Sequence, residues 1–333
     1  MPSLGGVKLA YGIIIAASLL PSVITLAQDV QEYPRRSIKF IVPVPPGGGV
    51  DALARIIADA LQSEWGKAVV VENRSGAGGN IGAEVVYRAE PDGYTLLFTA
   101  DGVLVINKMI YPKLDFDPDH FMPVSVVAAS GSVLIVNPKI AAENVQQLIA
   151  FAKANPGVLE YASPGYGTGS YLTAEMFKSM AGIEITHVPY KGTAPALTDV
   201  LSGQVSLTFG ELGSVLPFIR TGKVRALAVT GERRIASLPD VPMMSETLPG
   251  FVATPWNGVV APPNTPLVIA NKISAAIADE LKKPDVVKRL TDRSFEPVGS
   301  TPENMALRMK QESERWDKVI RALGDQTGLM TSH

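Results

Sequence analysis

Cysteine is absent from all 333 residues, which excludes disulfides, thiolate nucleophiles, Cys-ligated zinc and lipid attachment through a Cys. Histidine is scarce: His120, His187 and His333 are scattered, so their spacing offers no His-built metal site, and neither a metal nor a cofactor is expected. Excess positive charge is lacking too, with 30 Lys and Arg against 32 Asp and Glu. Nothing there would neutralise the phosphates of a nucleic acid, and no such partner is expected. What is present is a chain of 46% hydrophobic and 19% charged residues, enough to pack an interior and, at this length, about two domains.

The N-terminus reads as a targeting segment. Lys8 is followed by an apolar run from Leu9 to Leu20, then by Thr25-Leu26-Ala27 ahead of the polar Gln28-Asp29. A basic start, about 7–15 apolar residues and small residues at a cut site describe a secretory signal peptide, whereas a membrane anchor needs about 20 apolar residues. Cleavage after Ala27 would leave 333 − 27 = 306 residues and, without Lys8, 29 basic against 32 acidic groups. The expectation is a protein exported to the periplasm with residues 1–27 removed.

Beyond that segment, strand-length apolar runs recur at Ile38–Val42, Val69–Val71, Thr95–Thr99, Val133–Val136, Leu159–Ala162, Ile185–Val188, Leu207–Phe209 and Ala226–Val229. Helix-period segments lie between several of them. From Asp51, apolar residues fall at Leu53, Ile56, Ile57, Ala60 and Leu61, which predicts an amphipathic helix capped by Asp51 and stopped at Gly66. Thr265-Pro266 and Thr301-Pro302 each pair a capping hydroxyl with a Pro suited to the first helical position, and Gly324 follows the second helix. The alternation predicts an α/β chain with largely parallel sheets.

Candidate chemistry sits in Gly-rich loops between strands and helices. Pro43-Val44-Pro45-Pro46-Gly47-Gly48-Gly49 precedes the helix at Asp51, where backbone N–H groups and the positive end of the helix dipole meet in a candidate anion site. It matches neither the Walker pattern nor the dinucleotide pattern. Ser163-Pro164-Gly165-Tyr166-Gly167-Thr168-Gly169-Ser170 adds hydroxyls that either donate to an oxyanion or cap a helix. Asn73–Asn80 and Tyr190–Pro195, the latter with Thr193, repeat the theme. Several helix N-termini converging on one cleft favour a small carboxylate over a cation.

These residues resemble a known family. Tyr33-Pro34, Ile38–Pro43, Pro46-Gly47-Gly48 with Asp51, and Glu72-Asn73-Arg74 with Gly76–Gly79 are similar to the substrate-binding receptors of tripartite tricarboxylate transporters, the Bug family. So are Pro91-Asp92-Gly93-Tyr94, Val188–Gly192, Leu238–Pro242, Trp256–Pro262 and Thr265-Pro266, nearly the whole chain beyond the targeting segment and in the same order. The resemblance implies a two-lobed periplasmic-binding-protein fold (type II-like), the lobes joined by crossing strands and the ligand cleft between them. One lobe would comprise 28–131 and 230–333, the other 132–229.

The resemblance also implies that a ligand carboxylate is held by backbone N–H groups, hydroxyls and ordered waters rather than by an Arg. It points to Pro45, Gly47 and Gly48 in one lobe and Thr168, Gly169 and Ser170 in the other, with Ser163 and Thr193 as further hydroxyls. Asp51 is counted with the site as helix cap and loop brace, and Thr99 and Asp101 because they lie just past a strand end. Tyr171 stands where the family commonly has His. Ser206 and Gly210 stand where acidic residues are frequent, which leaves Glu211 as the group to meet an ammonium and favours a mono- or dicarboxylate without charged nitrogen.

The implied role is that of a monomeric, non-enzymatic receptor that closes on a small organic carboxylate and delivers it to membrane transporter subunits. A sensor kinase as recipient and an exported enzyme using the Gly-rich loops as an oxyanion site are the alternatives. The tryptophans Trp65, Trp256 and Trp316 read as core or interface aromatics, with Trp256 alone having a chance of lining the cleft. His187 reads as a packed histidine, and Lys282-Lys283 and Glu312–Arg315 as solvated helix faces.

Overall fold

The computed structural model describes residues 33–111, 113–165 and 168–323. The expected signal peptide, loop residues Tyr166 and Gly167, and the stop at Gly324 lie outside them. No described helix is long and apolar enough to cross a membrane.

The first stretch runs β1 (Ile38–Val42), α1 (Gly49–Trp65), β2 (Val69–Asn73), α2 (Asn80–Tyr87), β3 (Thr95–Ala100), the short α3 (Asp101–Val105) and α4 (Asn107–Ile110), and β4 (Met122–Ser130). A middle stretch follows: β5 (Ser132–Val136), α5 (Val145–Ala154), β6 (Glu160–Ser163), α6 (Gly169–Ala181), β7 (Thr186–Pro189), α7 (Thr193–Ser202), β8 (Leu207–Glu211), α8 (Leu212–Arg220) and β9 (Arg225–Val229). The chain ends with β10 (Trp256–Ala261), α9 (Leu267–Glu280), α10 (Pro284–Thr291), β11 (Phe295–Pro297) and α11 (Pro302–Leu323).

Two sheets result. One has the order β11-β4-β10-β3-β1-β2 and the other β7-β6-β8-β5-β9. The expectation of largely parallel sheets is corrected: β1 pairs in parallel with β2 and β3, and β6 with β7 and β8, but β10 runs antiparallel to β3 and β4, and β5 antiparallel to β8 and β9. The cause is the crossing. β4 passes into β5 through Gly131 alone, and without an intervening helix the strand enters the second sheet against its neighbours. Hydrogen bonds tie this crossing to the return: Thr230 N–H to Ser132 O (3.0 Å), Ala253 N–H to Thr230 O (2.9 Å) and Ser130 N–H to Pro255 O (2.8 Å).

α1 forms where the apolar spacing predicts, and its Leu53, Ile57 and Leu61 are fully buried, each worth about 1.5–3 kcal/mol. Gly66 ends it in the left-handed region (φ 61°), its N–H on Gln62 O. The cap differs from expectation. Gly48 occupies the N-cap and Asp51 is the third helical residue, within the first turn. Thr265 likewise caps nothing, its hydroxyl donating to Pro262 O (2.8 Å), with Pro266 at the N-cap of α9. Thr301 does cap α11, accepting from Asn304 N–H at 3.2 Å.

α11 packs on β4 and α3 of the first sheet's layer and on α6 of the second. Its Met305, Met309, Trp316 and Ile320 therefore share one apolar cluster with Phe177 and Phe209 of the second unit. A single helix thus spans the floor between the two sheets.

Candidate binding site

The carboxyl ends of β1, β2 and β3 from one sheet, and of β6, β7 and β8 from the other, face a common cleft of about 580 Å³, within the range of small-ligand sites. Each strand end leads into a helix start. Gly49 and Val50 open α1, and Gly169 and Ser170 open α6; all four line the cleft. The first N–H groups of a helix have no intrahelical acceptor. The cleft therefore receives open donors and positive dipole ends from opposite sides.

The loop before α1 is held from behind by Asp51, which is buried. Its carboxylate accepts from Gly47 N–H (2.9 Å), Asn73 Nδ2 (2.9 Å) and Arg55 Nε and Nη2 (3.1 and 3.0 Å). Burial would raise its pKa, but the hydrogen bonds from Arg55, Gly47 and Asn73 together hold it below the ordinary value. Asn73 Nδ2 also reaches Val44 O at 3.0 Å, fastening the loop to the end of β2. On the next loop, Gly78 holds a left-handed backbone (φ 63°) that favours glycine, and a side chain there would push aside the hydroxyl end of Tyr111 at the cleft wall.

Of the expected site residues, Thr99, Asp101, Thr168, Gly169, Ser170, Thr193 and Glu211 line the cleft. Pro45, Gly47 and Gly48 are exposed on the rim beside it, the N–H of Gly47 being taken by Asp51. Thr168 caps α6, its Oγ1 donating to Gly165 O (2.7 Å) and accepting from Tyr171 N–H. Ser170 Oγ donates to Phe209 O at 2.7 Å, so what it turns to the cleft as a helix-start donor is its backbone N–H. Ser163 is fully buried behind the loop, bonded to Gly165 and, at 2.7 Å, to His187 Nε2. His187 stacks on Tyr161 (4.7 Å between centroids) and touches Tyr171 (4.8 Å). Burial, followed by the charge of Lys178, pushes its pKa down to about 4.

The floor of the cleft is where the sequence reading falls short. Glu312, Arg315 and Trp316 of α11 line it beside Trp256 and Asn257 of β10. Glu312 is not on a solvated face: it is buried, accepting from Trp256 Nε1 (2.7 Å) and Arg308 Nε (2.9 Å). Asp101, at the start of α3, accepts from Gly102 N–H (2.9 Å). Its pKa is raised by burial first and by the neighbouring charge of Glu312 second. Burial also raises Glu312, against the pull of Arg308 and Trp256. Glu211 is open to water within the cleft, yet surrounding protein desolvates its carboxyl enough to raise it as well.

Residues 53–325 match the family described as "Tripartite tricarboxylate transporter family receptor". The chain belongs to this receptor family. Protein BugT of Bordetella pertussis is 37% identical over 295 residues, which cover 88% of this chain and 90% of BugT. Among solved structures, R. palustris Rpa4515 with adipate is 36% identical with a TM-score of 0.74, covering 88% of this chain and 98% of that one. MatC from Rhodopseudomonas palustris with bound malate is 31% identical with a TM-score of 0.70, covering 86% and 100%. The two-lobed periplasmic-binding-protein architecture expected from the sequence is therefore that of the family. Tyr171 is buried against Tyr161 and His187.

Proposed function

We propose that this chain is a periplasmic receptor that captures a small organic carboxylate, a mono- or dicarboxylate, by closing its lobes, and delivers it to the membrane subunits of a tripartite tricarboxylate transporter. The observation that carries this reading is the pair of helix starts, Gly49-Val50 and Gly169-Ser170, presenting open N–H donors to one cleft from opposite sheets. An anion between them would bond both sides at once and draw them together. That adipate and malate are bound by receptors 36% and 31% identical supports the ligand class.

The lobes are taken as 28–131 with 230–333, and 132–229, hinged at Ser130–Ser132 and at the return after Thr230. Residues 1–27 serve as the export signal, and the mature protein works as a monomer. Catalysis has no part in the reading. Ser163 and His187 are hydrogen-bonded as a nucleophile and base would be, but Ser163 is fully buried and no substrate can reach its oxygen.

Small-angle scattering and thermal unfolding test this on mature protein freed of ligand by unfolding and refolding. A ligand at about a thousand times its Kd stabilises by about 4 kcal/mol, a shift of several degrees, and should reduce the radius of gyration. Binding without compaction, or turnover of the bound acid, would overturn the proposal.

A further inference from the structure

Past Gly131 the chain stays against the second sheet well beyond the end of β9. Val229 N–H bonds Pro242 O, and Val229 bridges to Met243. Leu238 shares an apolar cluster with Val133 and Val229, and Phe251 stacks on Phe209 of β8 with 6.4 Å between centroids. The chain rejoins the first sheet at Trp256, through the short segment Val252–Pro255. That segment is bonded along both edges. On one edge Ala253 exchanges bonds with Thr230, its N–H reaching Thr230 O at 2.9 Å and its carbonyl accepting from Thr230 Oγ1 at 2.6 Å. On the other, the alternate carbonyls of an extended chain, Val252 O and Thr254 O, accept from α11: Arg315 Nη1 at 2.9 Å and Arg308 Nη2 at 3.3 Å. Arg308, Glu312 and Arg315, at i, i+4 and i+7, share one face of that helix. Arg308 is itself fixed, its Nε on Glu312 (2.9 Å) and its guanidinium 5.6 Å from the centroid of the Trp256 ring. Two guanidiniums therefore stand in for a neighbouring strand at the point where the chain passes between the sheets.

We infer that Arg308 and Arg315 are positioning residues of lobe closure: they clamp the crossing segment Val252–Pro255 to α11 and so fix the angle between the lobes. This rests on the closure reading above and names what opposes free movement at its second hinge. A hinge moves by changing the φ and ψ of a few residues. Any such change at 252–255 must carry α11 along or break the guanidinium bonds. The helix is not free to follow, because it packs on β4 and α3 of one layer and on α6 of the other. Were the two arginines only donors that satisfy backbone carbonyls, their loss would lower stability and leave the lobe geometry alone.

Spin labelling separates the two. The chain has no Cys, so Ser75→Cys and Lys191→Cys place one label on an exposed rim loop of each lobe, and double electron–electron resonance reads the distance between them without ligand. Arg315→Gln, whose side chain is shorter, and Arg308→Lys, whose ammonium cannot serve Glu312 and Thr254 as the planar fork does, should each broaden the distance distribution towards shorter separations. Arg315→Lys keeps a donor of similar reach and should restore the wild-type width. Distributions for Arg315→Gln and Arg308→Lys that superimpose on wild type, with only the melting temperature lowered, would overturn the inference. Arg315 lines the cleft, but a readout without ligand does not register any contact it makes there. The closure reading is tested apart, on labelled wild type with adipate or malate: an acid that binds by calorimetry without shortening the distance would end that reading, whatever the variants show.

Discussion

Replacing Asp51 by Ala removes the acceptor of four hydrogen bonds at once, from Gly47 N–H, Asn73 Nδ2 and two nitrogens of Arg55. Hydrogen bonds to a charged group contribute about 1.5–3 kcal/mol each when buried. Here Gly47 and Arg55 are partly exposed and regain water, so the full sum is not lost. A carboxylate in the first helical turn adds about 0.3–1 kcal/mol through the dipole. The net cost should be about 2–4 kcal/mol, a fall in Tm of roughly 3–6 °C for a chain of this length. Asp51→Asn is the sharper variant: it keeps the volume but points an amide donor at groups that are all donors, and should lose at least half as much. The sign of the pH effect follows from the depressed pKa. The Asp51 contribution is present above the ordinary carboxylate range and disappears as pH falls through the folded value, so wild type and Asp51→Asn should converge in acid. Ligand affinity should fall as well, because the loop that aims Gly49 and Val50 is no longer braced. Urea melts at pH 7 and pH 3 would measure this. An Asp51→Ala protein within about 0.5 kcal/mol of wild type at pH 7 would refute the brace.

Asp101 predicts a pH effect of the opposite sign. Its folded pKa, raised to about 8 from 3.8, means that its contribution is full below the unfolded value and is lost as pH rises towards 8. At about 1.4 kcal/mol per unit the ceiling is about 6 kcal/mol, and water in the cleft brings the expected loss to about 1–3 kcal/mol. Ligand-free Asp101→Asn should therefore be more stable than wild type at pH 8 and no more stable at pH 4 by calorimetry; a constant difference would count against it. Ser170→Ala should cost stability by about 0.5–1.5 kcal/mol, through the lost bond to Phe209 O, and change carboxylate affinity by less than that. A larger effect on affinity than on stability would return the hydroxyl to the ligand. Trp256→Phe leaves Glu312 without its indole donor and should destabilise by about 1.5–3 kcal/mol, whereas a neutral effect in chemical melts would mean that Glu312 is held by Arg308 alone.

The parallel halves of both sheets were legible from apolar runs, and the two helices that follow the Gly-rich loops from the glycines before them, because those signals are local, although the helices open at Gly49 and Gly169, about two residues ahead of the expected Asp51 and Tyr171. β4 and β10 were not. Met122–Ser130 carries Pro123, Ser125 and Ser130 within its run, and Trp256–Ala261 reads as a motif before it reads as a strand; both become strands by pairing with each other across a long stretch of sequence. The cleft floor was missed for the same reason. Glu312 has the composition of a solvated helix face, and only the packing of α11 against Trp256 shows that this face is buried. Asp51 braces the loop as expected but is not the cap, which is Gly48 three residues before it, since an acidic residue in the first turn and one at the N-cap look alike in sequence.

Titration calorimetry with one acid and its own primary amide tests the central claim most directly. The acid is whichever gives the largest thermal shift, and the amide keeps its shape while removing its charge. If open helix-start N–H groups from two lobes capture a carboxylate, the acid binds and the amide is weaker by at least about a hundredfold, roughly 2.7 kcal/mol. Equal affinities for the two would contradict the account.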